Sequence, residues 1–417
     1  MGRWITQHWI PADGSGLPKR ARRGGSYQAY VPDLLTAELK PTPEIIQTAA
    51  RVERKLLSLN QSTNAIGLEA IARFLLRSEA ISSSKIEGIA PSADKVALAE
   101  LAQTEAVVGF GRNAELVANN VTMLRKAQVE LSTKDSITVA DLCSLQESLL
   151  DSPKLSGIRT TQNWIGGSNY HPIDAEFVPP PANLVPELMA DLCEYTSGAF
   201  HGPLIQAALV HAQFETIHPF SDGNGRVGRA LIHTVLTRRG IERSPMLPIS
   251  MILGTWSDRY IEALTSYRNE DPLAWVAFFL EVTEEAAALA DRISTDIEEL
   301  RADWNEAFFT HRAAQGITRA PRSDSAEMLI LSQLPEYPVL TIASAAKFFG
   351  ISLSAAERAL SSLAATAILH TKSVSASGTR GYVANDVIEL INLAERRLAS
   401  TRFDTRLSPP RGGVADA

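Results

Sequence analysis

The chain of 417 residues is short of several things. It has two cysteines, Cys143 and Cys193, both in apolar-periodic stretches and with no CxxC partner. That excludes a disulfide framework or a zinc site and reads as buried thiols in a reducing compartment. No apolar run approaches the ~20 residues of a membrane helix, and the first residues lack the apolar core of a secretory leader. A cytoplasmic protein with no membrane partner is therefore expected. Its 40 Lys and Arg are outnumbered by 47 Asp and Glu, for a net charge of −7, which argues against non-specific nucleic-acid binding as its main role. Internal repeats are absent. A hydrophobic content of 45% over this length suffices for two or three domains with their own cores.

What the chain does have is concentrated in residues 218–229, His-Pro-Phe-Ser-Asp-Gly-Asn-Gly-Arg-Val-Gly-Arg. Apolar residues at helical spacing precede this window, over 206–217, and follow it to a stop at Gly240, so helix, tight loop and helix start are predicted. Gly223 and Gly225 can take positive φ and let backbone N–H groups converge into an anion nest at a helix N-terminus. Arg226 and Arg229, three apart, add forked donors for phosphate oxygens. Asp222 beside the nest suits Mg²⁺, whose other ligands would be phosphate and water. His218, with an ordinary pKa near ~6.5, can act as a general base. A metal reading of His211, Glu215 and His218 on one helical face lacks the second Glu-x-x-His that a di-metal bundle needs.

These residues resemble the Fic family motif, His-x-Phe-x-(Asp/Glu)-Gly-Asn-Gly-Arg-x-x-Arg, at every position. The resemblance implies a protein adenylyltransferase that uses ATP and Mg²⁺. In it His218 is the base, Asp222 the metal ligand, and Gly223, Asn224, Gly225, Arg226, Gly228 and Arg229 the nucleotide-binding loop, with Phe220 anchoring that loop in the core. AMP would pass to a Tyr, Thr or Ser hydroxyl of a target protein, the chain itself among the candidates. Tyr260 matches the first of two tyrosines that line the adenine pocket in the family; the second is Ile261 here.

Two further stretches gain meaning beside the motif. Ser83, Glu87 and Gly88 resemble the family's inhibitory motif, (Ser/Thr)-x-x-x-Glu-(Gly/Asn), and their position ahead of the core resembles the subgroup whose inhibitory helix lies in the same chain. The resemblance implies that Glu87 pairs with Arg229 and repels the γ-phosphate. It also leaves room for AMP removal as a second activity. Gln162, Asn163, Trp164, Ile165 and Gly166, with Phe-Val-Pro-Pro at 177–180, read as a hairpin. They resemble the family's flap, which holds a target segment by strand addition.

Residues 1–100 are expected to be an extended arm followed by helices, 101–285 the catalytic core, and 286–320 an amphipathic connecting helix and linker. Residues 321–395 follow as a winged-helix-like module (helix, turn, helix, then hairpin), and 396–417 as a disordered tail. The expected fold class is mainly α, with a small β-hairpin flap. The stripe Leu289, Ile293, Ile297, Leu300, Trp304, Phe308 suits packing on the core, on the C-terminal module or on a second copy in a homodimer, and the choice stays open. DNA binding has thin support: the second module helix carries only Arg358 among basic residues, the hairpin Lys372 and Arg380, and the cluster at 19–23 reads better as a solvated face. Rival readings are transfer of another nucleotide, a CDP-linked group or a phosphate, against the last of which Gly225 speaks, and a DNA-binding regulator that uses the core as a ligand sensor.

Overall fold

The computed structural model describes residues 2–11, 22–35, 39–62, 65–242, 246–269, 271–317, 319–375 and 378–402. Residues 19–21 of the basic cluster and the tail beyond Arg402 lie outside the described residues. In chain order the elements are β1 (Gly2–Trp9), β2 (Gly25–Pro32), α1 (Pro43–Ser62), α2 (Ala65–Ile86), α3 (Ala93–Ala102), α4 (Arg112–Lys126) and α5 (Val139–Glu147). Then come α6 (Val185–Ser197), α7 (Pro203–Ile217), α8 (Asn224–Arg238), α9 (Ile249–Thr255), α10 (Ser257–Arg268) and α11 (Pro272–Ala314). The chain continues through α12 (Ala326–Gln333), β3 (Val339–Leu340), α13 (Ile342–Phe349), α14 (Leu353–Ala365), β4 (His370–Ser373), β5 (Arg380–Val383) and α15 (Asn385–Arg402). The protein is mainly helical, with small antiparallel sheets. Among the described residues no helix is long and apolar enough to cross a membrane.

Contacts group the chain into two compact units. One comprises Met1–Leu57, Asn119–Arg243 and Ser257–Glu284; the other comprises Ser58–Ala118, Ser244–Trp256 and Glu285–Ala417. This grouping differs from a division at residues 100 and 285, because α2 and α3 pack with the C-terminal module. Arg77 pairs with Glu100 and donates to the Glu336 carbonyl at 3.0 Å, and Arg73 pairs with Glu336 at 2.8 Å.

In the first unit the expected extended arm is a paired hairpin. β1 and β2 run antiparallel from Gly2 opposite Pro32 to Trp9 opposite Gly25. Tyr27 and Ala29 of β2 form a small cluster with Val178, Trp9 and Trp164. α7 is buried all round, from Leu204 to Ile217, which makes it the unit's central helix. Proline opens both α6 and α7, where its missing N–H costs nothing. Trp275 of α11 is fully buried and donates its indole N–H to the Ala208 carbonyl at 2.7 Å, so the polar atom of a large apolar side chain is satisfied. Cys193 is buried, which pushes its thiol up to about 12, while Cys143 is half-buried.

In the second unit Glu79, fully buried, accepts from the Ser250 N–H at 2.8 Å and from its hydroxyl. A carboxylate there satisfies an orphan donor at the start of α9 and complements the helix dipole. α12, α13, α14 and the three-stranded sheet β3-β5-β4 follow the expected helix, helix, hairpin order. Val339, Val374 and Val383 of this module share a core with Ala97, Leu98, Leu101 and Val107. Two expectations change. The closing helix of the core and the amphipathic connector are one 43-residue helix, α11, because nothing in its sequence breaks the pattern between Trp275 and Phe308. The last helix, α15, runs on to Arg402 through residues expected to begin a tail.

Candidate functional site

The window 218–229 is a helix end, a loop and a helix start. α7 stops at His218, whose φ of 49° and ψ of 61° are left-handed. A non-glycine residue there costs on the order of 1–3 kcal/mol, and such strain persists where the surroundings enforce it. The enforcement is visible. Arg159 donates to the His218 carbonyl at 2.9 Å, Asn163 donates to the same carbonyl at 3.2 Å, and the Arg159 N–H bonds the Pro219 carbonyl at 2.9 Å. Phe220 is fully buried against Phe214, with ring centroids 5.9 Å apart, as expected of a loop anchor.

The next residues differ from expectation in one respect. Gly223 is left-handed (φ 87°) and starts α8, but Gly225 lies within the first helical turn. One positive-φ glycine is enough, because Asn224 closes the loop. Its Oδ1 accepts from the Phe220 N–H at 2.8 Å, and its Nδ2 donates to the Phe220 carbonyl at 2.8 Å. Asn224 thus shapes the loop with its side chain, and its backbone sits at the start of α8. Gln146, also fully buried, fastens the loop from outside: Nε2 donates to the Asp222 carbonyl at 2.9 Å and Oε1 accepts from the Gly157 N–H at 2.9 Å.

Asp222 is half-exposed, and its Oδ1 lies 3.2 Å from the buried Arg226 guanidinium. Arg229, one residue-turn further on, is 1% exposed. Gly228 lets the two central helices approach: a Cβ there would collide with Glu215 Oε1 and stand 3.0 Å from Phe214. Glu215 Oε2 lies 4.0 Å from His218 Nδ1. The loop therefore presents an imidazole with a buried carboxylate behind it, a half-exposed carboxylate, a helix N-terminus and two arginines. Such a set can hold an anion and move a proton.

The stretch 162–166 lies beside this loop within the same unit. Ile165 and Phe177 exchange backbone hydrogen bonds at 2.8 and 3.2 Å, and Glu176 donates to the Ile165 carbonyl at 2.9 Å, so the hairpin is a single bridge with no extended ladder. Gln162 donates to the Pro179 carbonyl at 3.0 Å, and Asn163 also donates to the Phe220 carbonyl at 3.1 Å, so both amides brace the hairpin's base. Trp164 packs on Trp9 and donates to the Ser168 carbonyl at 2.6 Å. Ile165 and Gly166 are exposed. Gly167 is left-handed, and a Cβ there would strike the Asp174 backbone, which fixes the tight turn.

Tyr260 is buried, its hydroxyl bonded to His211 Nε2 at 2.8 Å, and the two rings stack 5.9 Å apart with Trp275 beside them. Burial, reinforced by Arg229 and His233, pulls His211 down to about 3, so it is neutral. In the second unit Ser83 is buried in α2, and the helix ends at Ile86. Glu87 therefore lies in the turn after the helix, and left-handed Gly88 (φ 77°) follows it. Both are exposed.

Sequence reasoning missed Arg159, Gln146 and Arg268. Arg268 stacks 3.7 Å over the Phe177 ring, and burial pulls it down to about 10 against the opposing effect of Glu215. A lone arginine two residues after Gly157, between Ile158 and Thr160, was the available signal for Arg159.

Known proteins give the comparison. Residues 136–236 match the model of the Fic/DOC family. A protein of Aquifex aeolicus (strain VF5) named "Probable protein adenylyltransferase" is 30% identical over 178 residues, which are 42% of this chain and 52% of that protein. "Protein adenylyltransferase Fic" of Drosophila grimshawi is 28% identical over 271 residues, 61% of this chain and 52% of that one. The chain spans about half the length of these two curated relatives. The crystal structure of a Fic family protein from Desulfovibrio desulfuricans G20 is 20% identical, with 83% of this chain and 98% of that chain covered at a TM-score of 0.48. The segment matched to the Fic/DOC family, residues 136–236, contains both the 218–229 loop and the 162–180 hairpin.

Proposed function

We propose that this chain is a protein adenylyltransferase: it moves AMP from ATP to a Tyr, Thr or Ser hydroxyl of a protein. The observation that carries the reading is the loop itself, with His218 held left-handed at the end of α7 beside the glycine-started N-terminus of α8. The names of the relatives support the same activity. His218 takes the proton of the acceptor hydroxyl. The oxygen attacks the α-phosphorus, an O–P bond forms, the bond to the β-phosphate oxygen breaks, and pyrophosphate leaves in line. The amides after Gly223, with Arg226 and Arg229, hold the phosphates. A single half-exposed carboxylate, Asp222, fits Mg²⁺, which takes one or two carboxylates and fills its shell with phosphate and water; when bound it neutralises phosphate charge. The exposed backbone of Gly166, next to the Ile165–Phe177 bridge, pairs with an acceptor segment in this reading.

Inhibition by Glu87 belongs to the same proposal and rests on the spacing of Ser83, Glu87 and Gly88. A carboxylate paired with Arg229 would displace the γ-phosphate and leave the α-phosphorus badly aligned for attack. The winged-helix-like module is proposed as a packing or partner-docking element. Lys372, one of the two cations of its hairpin, pairs with Asp94 at 3.2 Å, which thins its case for DNA further. The two unpaired thiols support a reducing, cytoplasmic setting. Mass spectrometry after incubation with ATP and Mg²⁺ tests the activity: the gain of one AMP on a hydroxyl is expected, and the gain of a phosphate would overturn the reading.

A further inference from the structure

Arg159 is 3% exposed, and its side-chain hydrogen bonds run to backbone carbonyls. Nε donates to His218 at 2.9 Å and Nη1 to Thr161 at 3.1 Å; Nη2 donates to Pro180 at 2.5 Å and to Ile217 at 3.4 Å. Ile217 and His218 end α7, where orphan carbonyls and the negative end of the helix dipole favour a cation. Thr161 immediately precedes one arm of the hairpin, and Pro180 ends the other. One planar guanidinium therefore ties together the two ends of the hairpin's base and the left-handed turn that aims the imidazole. Its rigid fork suits this geometry, whereas a lysine would bring a single point donor. Burial pulls the group down to about 10, which leaves it charged at neutral pH.

We infer that Arg159 is a positioning residue that couples the acceptor hairpin to the base, so that a segment paired with the hairpin meets a His218 already aligned. The inference rests on reading His218 as the base and 162–166 as the acceptor hairpin. Asn163 assists, since its amide joins the hairpin to the His218 and Phe220 carbonyls, but it touches only one arm.

The test is hydrogen exchange on the full chain carrying Arg159→Ala. The amides of Ile165, Glu176 and Phe177 report the hairpin, and those of residues 159 and 218 report the base loop. Both groups should exchange about tenfold faster together while the centre of α8 keeps its protection, and tens of millimolar guanidinium should restore both. At saturating ATP the transfer rate should fall about 100-fold, as small misplacements do, with the KM for ATP within twofold. Loosening of one group alone, or of neither, overturns the coupling; loosening of both with transfer unchanged overturns the positioning role. If the alanine variant does not fold, Arg159→Lys carries the same criteria with a severalfold effect. Absence of transfer from unsubstituted and Glu87→Gly protein alike refutes the activity reading alone, because exchange reports the coupling without turnover.

Discussion

Two helices begin in opposite ways. α13 starts on Thr341, whose hydroxyl accepts from the Ser344 N–H at 3.0 Å while Ser344 Oγ accepts from the Thr341 N–H at 2.8 Å. That helix end is closed by its own side chains. α8 starts on Gly223, which has no side chain to cap with, and the neighbouring Asn224 is turned back to Phe220. The loop before α8 is held from outside by Arg159, Asn163 and Gln146. In one place a helix start is capped by its own side chains, and in the other a rigid frame surrounds a helix start that has no side-chain cap. The contrast separates a self-capped structural turn from the loop proposed to bind phosphate.

The sharpest break in this comparison is His218→Ala. If the chemistry belongs to the α8 loop, transfer should fall by about 10²–10⁴-fold, measured as AMP incorporated per minute, with folding intact. Next is the ground beneath α8. His211 has a folded-state pKa of about 3, below its ordinary 6.5, so the unfolded chain takes up the proton first as pH falls. Its stabilising contribution is complete above about pH 6.5 and is lost toward pH 3, at about 1.4 kcal/mol per pH unit. Between pH 6.5 and 4.5 the unsubstituted protein should lose about 2–3 kcal/mol more than His211→Gln, read from denaturant midpoints at each pH. The smallest effect falls on the other helix: Thr341→Ala should cost about 1 kcal/mol of stability and leave AMP transfer unchanged. A loss of transfer there would erase the distinction between the two helix starts.

Much of this was legible in residues, and the gaps have physical causes. The motif gave the helix, loop and helix start because glycine, asparagine and two arginines at fixed offsets each constrain the backbone or the charge. Helical periodicity found the C-terminal module because its helices carry ordinary caps: Thr341, Ser352 and Gly350 are local signals. The loop-closing bonds of the Asn224 amide to Phe220 are visible only in the fold, because an amide can serve either a ligand or its own loop. Arg159 escaped because its partners are carbonyls up to 59 residues away, which no periodicity encodes. The bond of the Tyr260 hydroxyl to His211 escapes sequence patterns because helix packing sets it between residues 49 apart. The β1–β2 hairpin was missed because its strands are separated by a glycine-rich and proline-rich stretch that reads as an open arm.

The most direct test is incubation of the purified full chain and its Glu87→Gly form with α-labelled ATP and Mg²⁺. Label should enter protein, rise in the Glu87→Gly form, and vanish when His218→Ala is added to it. Equal label in all three forms, or label only from the γ-position, would contradict the account.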